Sequence, residues 1–142
     1  MIPQVGRVLG FDLGSVRVGV AISDTQQRIA TSLRVVTRPA DLSAVVAEED
    51  AVGAVIGLPL SLSGEVGPAA ALVLDEIEAL RRVLEVPVET VDERFSTVTA
   101  GQALRRGGHR SRTARRQVDA AAAAVFLQSW LDRRQAGRSA AV

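Results

Sequence analysis

Cysteine, lysine and tyrosine are absent from this chain of 142 residues, and histidine occurs once, as His109. The lack of cysteine excludes disulfides and thiolate metal ligands, and one imidazole cannot build a zinc site that needs several. Any bound metal ion must therefore be held by carboxylates. Carboxylate oxygens favour Mg²⁺ or Mn²⁺ over softer metal ions.

Aromatic residues make up only 3% of the chain, which argues against the stacked-aromatic platform on which single-strand binders hold bases. No apolar run approaches the roughly 18 residues needed to cross a bilayer, so we expect no membrane partner. The beginning of the sequence also lacks the basic and apolar regions of a secretory signal. We therefore expect a cytoplasmic protein.

Charge is distributed unevenly along the chain, although the net charge is only +1. Residues 1–93 hold seven arginines and fourteen acidic residues, a balance of −7, whereas residues 94–142 hold ten arginines and two acidic residues, a balance of +8. Six of these arginines are clustered with no acid between them, and they are Arg105, Arg106, Arg110, Arg112, Arg115 and Arg116. Since guanidinium groups bind phosphate in bidentate fashion, the cluster predicts a nucleic-acid contact, with a solvated loop as the alternative.

Two more arginines are candidates for phosphate contacts, Arg17 and Arg94. Each has an alternative partner among the acids. Arg17 could form an ion pair with an acid such as Asp24, and Arg94 directly follows two acidic residues.

The first half of the chain predicts mainly strands. Three short apolar runs between residues 5 and 36, separated by gaps of turn length, are typical of an antiparallel meander. Residues 41–50 have the apolar spacing of a helix. Residues 52–58 are continuously apolar, as in a strand buried on both faces, and we expect this strand at the centre of the sheet.

The second half alternates between helices and one further strand. Pro68 is well placed to open a helix that reaches residue 84, with Leu72, Ile77 and Leu80 facing inward. A strand is predicted over residues 86–91. A late strand that is reached through a helix should lie parallel to the first strand.

Two helices complete the chain, one predicted over residues 96–106 and the other over residues 113–134. The element order βββαβαβαα predicts an α/β domain, with a mixed five-stranded sheet and helices on both faces. We expect one domain over residues 1–135 and a flexible C-terminal tail over residues 136–142.

Two carboxylates stand in unusual surroundings. Asp12 ends an apolar strand that is expected to be central, where an unpaired charge is costly, and it could serve as a metal ligand or cap the amide of Gly14. Asp119 immediately precedes five alanines and shares a helical face with residues that must pack on the sheet. The alternative for Asp119 is an ion pair with Arg115, one turn earlier.

A third carboxylate is expected from Asp92 and Glu93, which end the strand over residues 86–91. Strand alternation sends the two side chains to opposite faces, so only one of them readily joins Asp12 and Asp119. Both could instead be solvated acids at a strand end. Three gathered carboxylates repel one another unless a cation lies between them, and a pair of divalent ions could then support phosphodiester hydrolysis.

Four segments of the chain resemble the YqgF family, also called RuvX. The resemblance runs from about residue 7 to residue 131, with the four segments in the family's order. They are GFDLGSVRVGVA at residues 10–21, GLPL at residues 57–60 followed by Gly64, Asp92-Glu93-Arg94 with Thr97 and Ala100, and VDAAA at residues 118–122 with Leu127, Gln128 and Leu131. Two positions depart from the pattern, since Leu13 stands where an aromatic is common and Ser96 where threonine is frequent.

The resemblance implies an RNase H-like fold and a divalent-metal nuclease. It assigns the metal ligands and catalytic residues to Asp12, Glu93 and Asp119, with Asp92 as the alternate to Glu93, around two Mg²⁺ or Mn²⁺ ions. It also suggests structured RNA, in the form of a pre-16S ribosomal RNA precursor, as the substrate. Branched DNA is the alternative substrate, and it would favour a two-fold homodimer that cuts two strands symmetrically. A second alternative is a non-catalytic nucleic-acid-binding protein of ribosome assembly.

Overall fold

The structure of the protein, a computed structural model, describes residues 1–59, 65–92 and 112–141. Within these segments lie five strands and three helices. The strands are β1 (Val8–Leu13), β2 (Arg17–Ser23), β3 (Ala30–Thr37), β4 (Gly53–Leu58) and β5 (Val88–Asp92), and the helices are α1 (Leu42–Glu48), α2 (Pro68–Val83) and α3 (Arg112–Ala141). The predicted helix over residues 96–106 lies outside the described residues.

The five strands form one mixed sheet in the order β3-β2-β1-β4-β5. The first three strands pair antiparallel, which confirms the predicted meander, and β4 and β5 run parallel to β1 and to each other as expected. Strand β1 occupies the centre, and β4, which was expected there, lies beside it. The carboxyl ends of β1, β4 and β5 therefore meet at one edge of the sheet.

Alternation along the strands divides the core between the two faces of the sheet. Leu9 and Phe11 of β1 are fully buried on the face covered by α1 and α2. Val8 of β1 and Val91 of β5 lie on the other face, where α3 packs. Helices therefore cover both faces, which confirms the predicted α/β architecture.

Helix α2 buries a different stripe from the predicted one. Ile77 is buried and Leu80 packs partly against the core, as expected, but Leu72 is 72% exposed. Ile77 is five positions after Leu72, and at 100° per residue this spacing places the two side chains about 140° apart around the helix. Ala70 and Val73 take the inward positions instead. Val73 is four positions before Ile77 and Ala70 is three positions before Val73, so all three lie on one side of the helix.

Helix α3 extends seven residues beyond its predicted end near residue 134 and reaches Ala141. Its last turns are attached to the N-terminal segment, where Arg134 donates hydrogen bonds to the carbonyl oxygens of Ile2 and Pro3. One turn later, Arg138 donates to the carbonyl oxygen of Gln4 at 2.7 Å. These bonds hold the last turns of a helix that continues past residue 135, the predicted domain limit. The flexibility of residues 136–142 stays a prediction.

Two glycines let α3 approach the sheet closely. A Cβ at Gly10 would lie 2.9 Å from Cβ of Leu127 and 3.1 Å from the carbonyl oxygen of Ala123, and a Cβ at Gly57 would lie 2.6 Å from the ring of Phe126. A side chain at either strand position would therefore displace the helix. None of the helices in the three described segments combines the length and the apolar character that spanning a bilayer requires.

Replacing Gly10 by alanine should lower the free energy of unfolding by about 1–3 kcal/mol, because the added methyl overpacks the contact between β1 and α3. Urea denaturation measures the effect. Gly137→Ala is the matched control, since a Cβ there meets nothing within 4 Å and alanine raises stability in a helix by up to about 1 kcal/mol. Equal effects of the two substitutions would contradict the close contact at Gly10.

Candidate functional site

Asp12 lies at the carboxyl end of the central strand, half-buried and directly opposite Gly19 of β2. It shares a face of β1 with Val8 and Gly10, both of which are covered by α3. The side chain of Asp12 therefore leaves the strand on the face of the sheet that α3 covers, next to the apolar core. A charged oxygen in such a place favours a cation or a strong donor as its neighbour.

A tight turn follows Asp12 and leads into β2. The amide of Gly14 donates to the backbone carbonyl oxygen of Asp12 at 3.1 Å, so this amide is bonded to the main chain. A Cβ at Gly14 would lie 2.6 Å from the carbonyl oxygen of Arg17. Any larger residue at this position would have to open the turn.

Arg38 anchors the same turn from the far end of β3, a role that the sequence analysis missed. Its Nε donates to the carbonyl oxygen of Gly14 at 2.7 Å, and its backbone amide donates to the carbonyl oxygen of Val16 at 2.9 Å. The two terminal nitrogens of Arg38 donate to the two carboxylate oxygens of Glu76 on α2, each at 2.8 Å. These side-chain hydrogen bonds raise the pKa of Arg38, opposed by partial burial, so the group stays charged.

The backbone of α3 places position 119 toward the end of the sheet at which β1 ends with Asp12. Helix α3 runs antiparallel to β1, because its last turns meet the N-terminal segment whereas Ala123 lies over Gly10. Position 119 is one turn before Ala123, about 6 Å along the helix. Asp12 is two residues beyond Gly10, about 6.6 Å along the strand in the same direction. The side chain of Asp119 lies outside the described part of the chain.

Alternation along β5 places Asp92 on the face of the sheet opposite to the one that carries Asp12. Glu89 and Val91 face α3, since Glu89 accepts a hydrogen bond from the Trp130 indole at 3.3 Å and Val91 belongs to the α3 core. Asp92 belongs instead to the row of Val88, which packs on the α1 and α2 side. Glu93 itself lies outside the described residues.

Arg17 and Asp24 lie at opposite ends of β2 and its turn, about 20 Å apart along the strand. The carboxylate of Asp24 accepts hydrogen bonds from the amides of Ile29 at 3.0 Å and Arg28 at 2.7 Å, and these bonds hold the pKa of Asp24 below its ordinary value. The suggested ion pair between Arg17 and Asp24 is therefore wrong. Arg17 begins β2 at the sheet edge where Asp12 ends β1.

The side chains of the remaining candidate arginines are not among those that the structure describes. Arg94, Arg105, Arg106 and Arg110 lie outside the described residues, and Arg112, Arg115 and Arg116 are placed only as backbone in the first turns of α3. Among the described side chains, no group of three acidic or histidine residues could hold a metal ion. Of the three predicted ligands, the structure thus describes the side chain of Asp12 alone.

A sequence profile of the family described as RuvX, Holliday junction resolvase, matches residues 6–133. A protein of Mycobacterium sp. strain KMS is 44% identical to the chain, covering 97% of this chain and 86% of the relative. A protein of Mycobacterium leprae strain Br4923 is also 44% identical, covering 97% and 79%. A protein of Rhodococcus opacus is 42% identical, covering 93% and 80%. All three are provisionally named pre-16S rRNA nucleases.

Solved structures of RuvC from Thermus thermophilus share the fold. One, in complex with a Holliday junction substrate, superposes with a TM-score of 0.53 at 14% identity, covering 92% of this chain and 96% of the RuvC chain. A second RuvC structure has the same TM-score at 16% identity. The mixed sheet with helices on both faces is therefore the RNase H-like arrangement that the sequence analysis expected.

Proposed function

The chain belongs to the RuvX family, and from that membership we propose that it is a divalent-metal-dependent nuclease that processes the 5′ end of pre-16S ribosomal RNA. The observation that supports the proposal is the contact of α3 with Gly10, because α3 leads from there back to position 119 at the end of the sheet where β1 ends with Asp12. Both positions belong to acidic residues on one side of the sheet. The names of the mycobacterial relatives support the choice of substrate.

The residues proposed to hold two Mg²⁺ or Mn²⁺ ions are Asp12, Glu93 and Asp119. The half-buried position of Asp12 beside apolar core fits a cation-bound carboxylate, and the all-oxygen donor set fits these two metals. When bound, such ions supply an activated water and stabilise the leaving oxygen of the phosphodiester. Alternation along β5 supports Glu93 over Asp92 as the third ligand, because Asp92 belongs to the row that packs away from α3.

Phosphate binding is assigned to the arginines at the same edge of the sheet. Arg17 begins β2 beside the turn after Asp12. The other members of the set are Arg94, Arg105, Arg106, Arg110, Arg112, Arg115 and Arg116. Guanidinium groups would orient the nucleic-acid backbone and offset its charge as it approaches the carboxylates. A substrate of this kind places the protein in the cytoplasm.

Branched DNA is the second candidate substrate, supported by the description of the family as Holliday junction resolvase. The RuvC likeness, at 14% identity, supports the fold and leaves the substrate open. A non-catalytic role in ribosome assembly is the third candidate. It differs from the other two because it requires binding without cleavage under every divalent metal.

Asp119→Asn should reduce Mg²⁺- or Mn²⁺-dependent cleavage of a pre-16S ribosomal RNA fragment by at least about a hundredfold, because an amide is a poor metal ligand. Binding of the RNA should change less than threefold in a filter or fluorescence assay. Asp132→Asn is the matched control, since Asp132 is an exposed acid further along α3. Full cleavage by the Asp119 variant would show that Asp119 is not a ligand of the metal site.

Glu93→Gln should likewise abolish metal-dependent cleavage, whereas Asp92→Asn should keep a cleavage rate within about tenfold of that of the unchanged chain. The reason is that alternation along β5 assigns the two acids to opposite faces of the sheet. Cleavage rates are compared at saturating metal, with thermal unfolding checked for both variants. The reverse order of the two effects would make Asp92 the ligand.

A side-by-side assay should show faster metal-dependent cleavage of the ribosomal RNA precursor than of a synthetic four-way junction. If five or six arginines contact phosphates, the logarithm of the binding constant should fall with the logarithm of salt at a slope of about −4 to −5. Preferred cleavage of the junction, at two symmetric positions, would support the resolvase instead. Tight binding without cleavage of either substrate would support the assembly role.

A further inference from the structure

The turn between β1 and β2 is held from outside the sheet by one side chain. Arg38 donates from each of its three side-chain nitrogens: Nε to the carbonyl oxygen of Gly14, and the two terminal nitrogens to the two carboxylate oxygens of Glu76. The ion pair is about 30% exposed on each side, so water screens it only partly. Paired parallel hydrogen bonds of this kind fix the orientation of the guanidinium plane.

The contacts form a continuous path from α2 to the candidate ligand. Glu76 holds Arg38, Arg38 holds the carbonyl of Gly14, and the amide of Gly14 holds the carbonyl of Asp12. A side chain at Gly14 would not fit this turn, since a Cβ there would lie 2.6 Å from the carbonyl oxygen of Arg17. A shift of Gly14 would therefore be transmitted to the backbone of Asp12.

We propose that Arg38, oriented by Glu76, is a positioning residue that sets the backbone of Asp12 and thereby the affinity of the site for its divalent ions. The inference rests on the proposed function, because it takes Asp12 as a metal ligand. Arg38 contacts neither metal nor substrate in this role. Partners that orient a metal ligand commonly change metal affinity by 10- to 100-fold when they are removed.

The experiment compares Arg38→Gln and Glu76→Gln with the unchanged chain and with Arg81→Gln. Arg81 is the matched control, because it pairs with Glu78 at 2.8 Å on the same helix but on an exposed surface. Mn²⁺ binding is measured by electron paramagnetic resonance, without substrate. Hydrogen exchange of the amides of Leu13 and Gly14 is followed by NMR, and cleavage is titrated with metal to separate the metal midpoint from the rate at saturation.

Arg38→Gln should raise the Mn²⁺ midpoint about tenfold in both binding and cleavage, speed exchange of the two amides, and leave the rate at saturating metal within about threefold. Glu76→Gln should shift the midpoint in the same direction by a smaller factor, since the bond to Gly14 remains. Arg81→Gln should shift none of these quantities. A merely structural role for Arg38 would lower the unfolding temperature and leave the metal midpoint unchanged, and that result would overturn the inference.

The two hypotheses fail in different ways. Metal-dependent cleavage by the unchanged chain, with an Arg38→Gln midpoint within twofold of it, overturns the positioning role and leaves the nuclease intact. A tenfold shift in Mn²⁺ binding in a chain that cuts neither RNA nor junction overturns the nuclease and retains the positioning role. Absence of Mn²⁺ binding by the unchanged chain overturns both.

Discussion

The contact between helix α3 and the backbone of Gly10 governs the arrangement of the whole sheet face beneath the helix. Only a glycine allows the carbonyl oxygen of Ala123 and the side chain of Leu127 to come so close to the central strand. Gly57 plays the same part on β4 against the ring of Phe126. The small residues that precede Phe126 complete the approach.

Apolar packing surrounds the carboxylate of Asp12, and hydrogen bonds hold the turn that follows it. Asp12 is half-buried beside apolar residues, which strengthens its interaction with any cation by reducing the screening of water. The turn that follows it is held by Arg38, whose charge is in turn balanced by Glu76. The acidic excess of residues 1–93 therefore includes groups with structural partners as well as the candidate ligands.

Much of the fold could be predicted from the sequence, because it depends on local patterns and on topology. The meander, the parallel late strands and the helices on both faces all follow from apolar periodicity and turn chemistry. Leu72 was misplaced because several apolar residues of α2 compete for one stripe, and only the packed helix selects among them. Asp12 and Asp119 were singled out by their unusual surroundings and Glu93 by the family resemblance, and the roles of all three stay predictions. The pairing of Arg38 with Glu76 left no signal in the sequence, since the two are ordinary charged residues 38 positions apart.

The attachment of the last turns of α3 to the N-terminal segment makes the two ends of the described sequence depend on each other. Arg134 donates to the carbonyl oxygens of Ile2 and Pro3, and Arg138 donates to that of Gln4. Deleting the first four residues would therefore leave two arginines of α3 without these acceptors. A change at the beginning of the sequence is in this way felt at the end of its last helix.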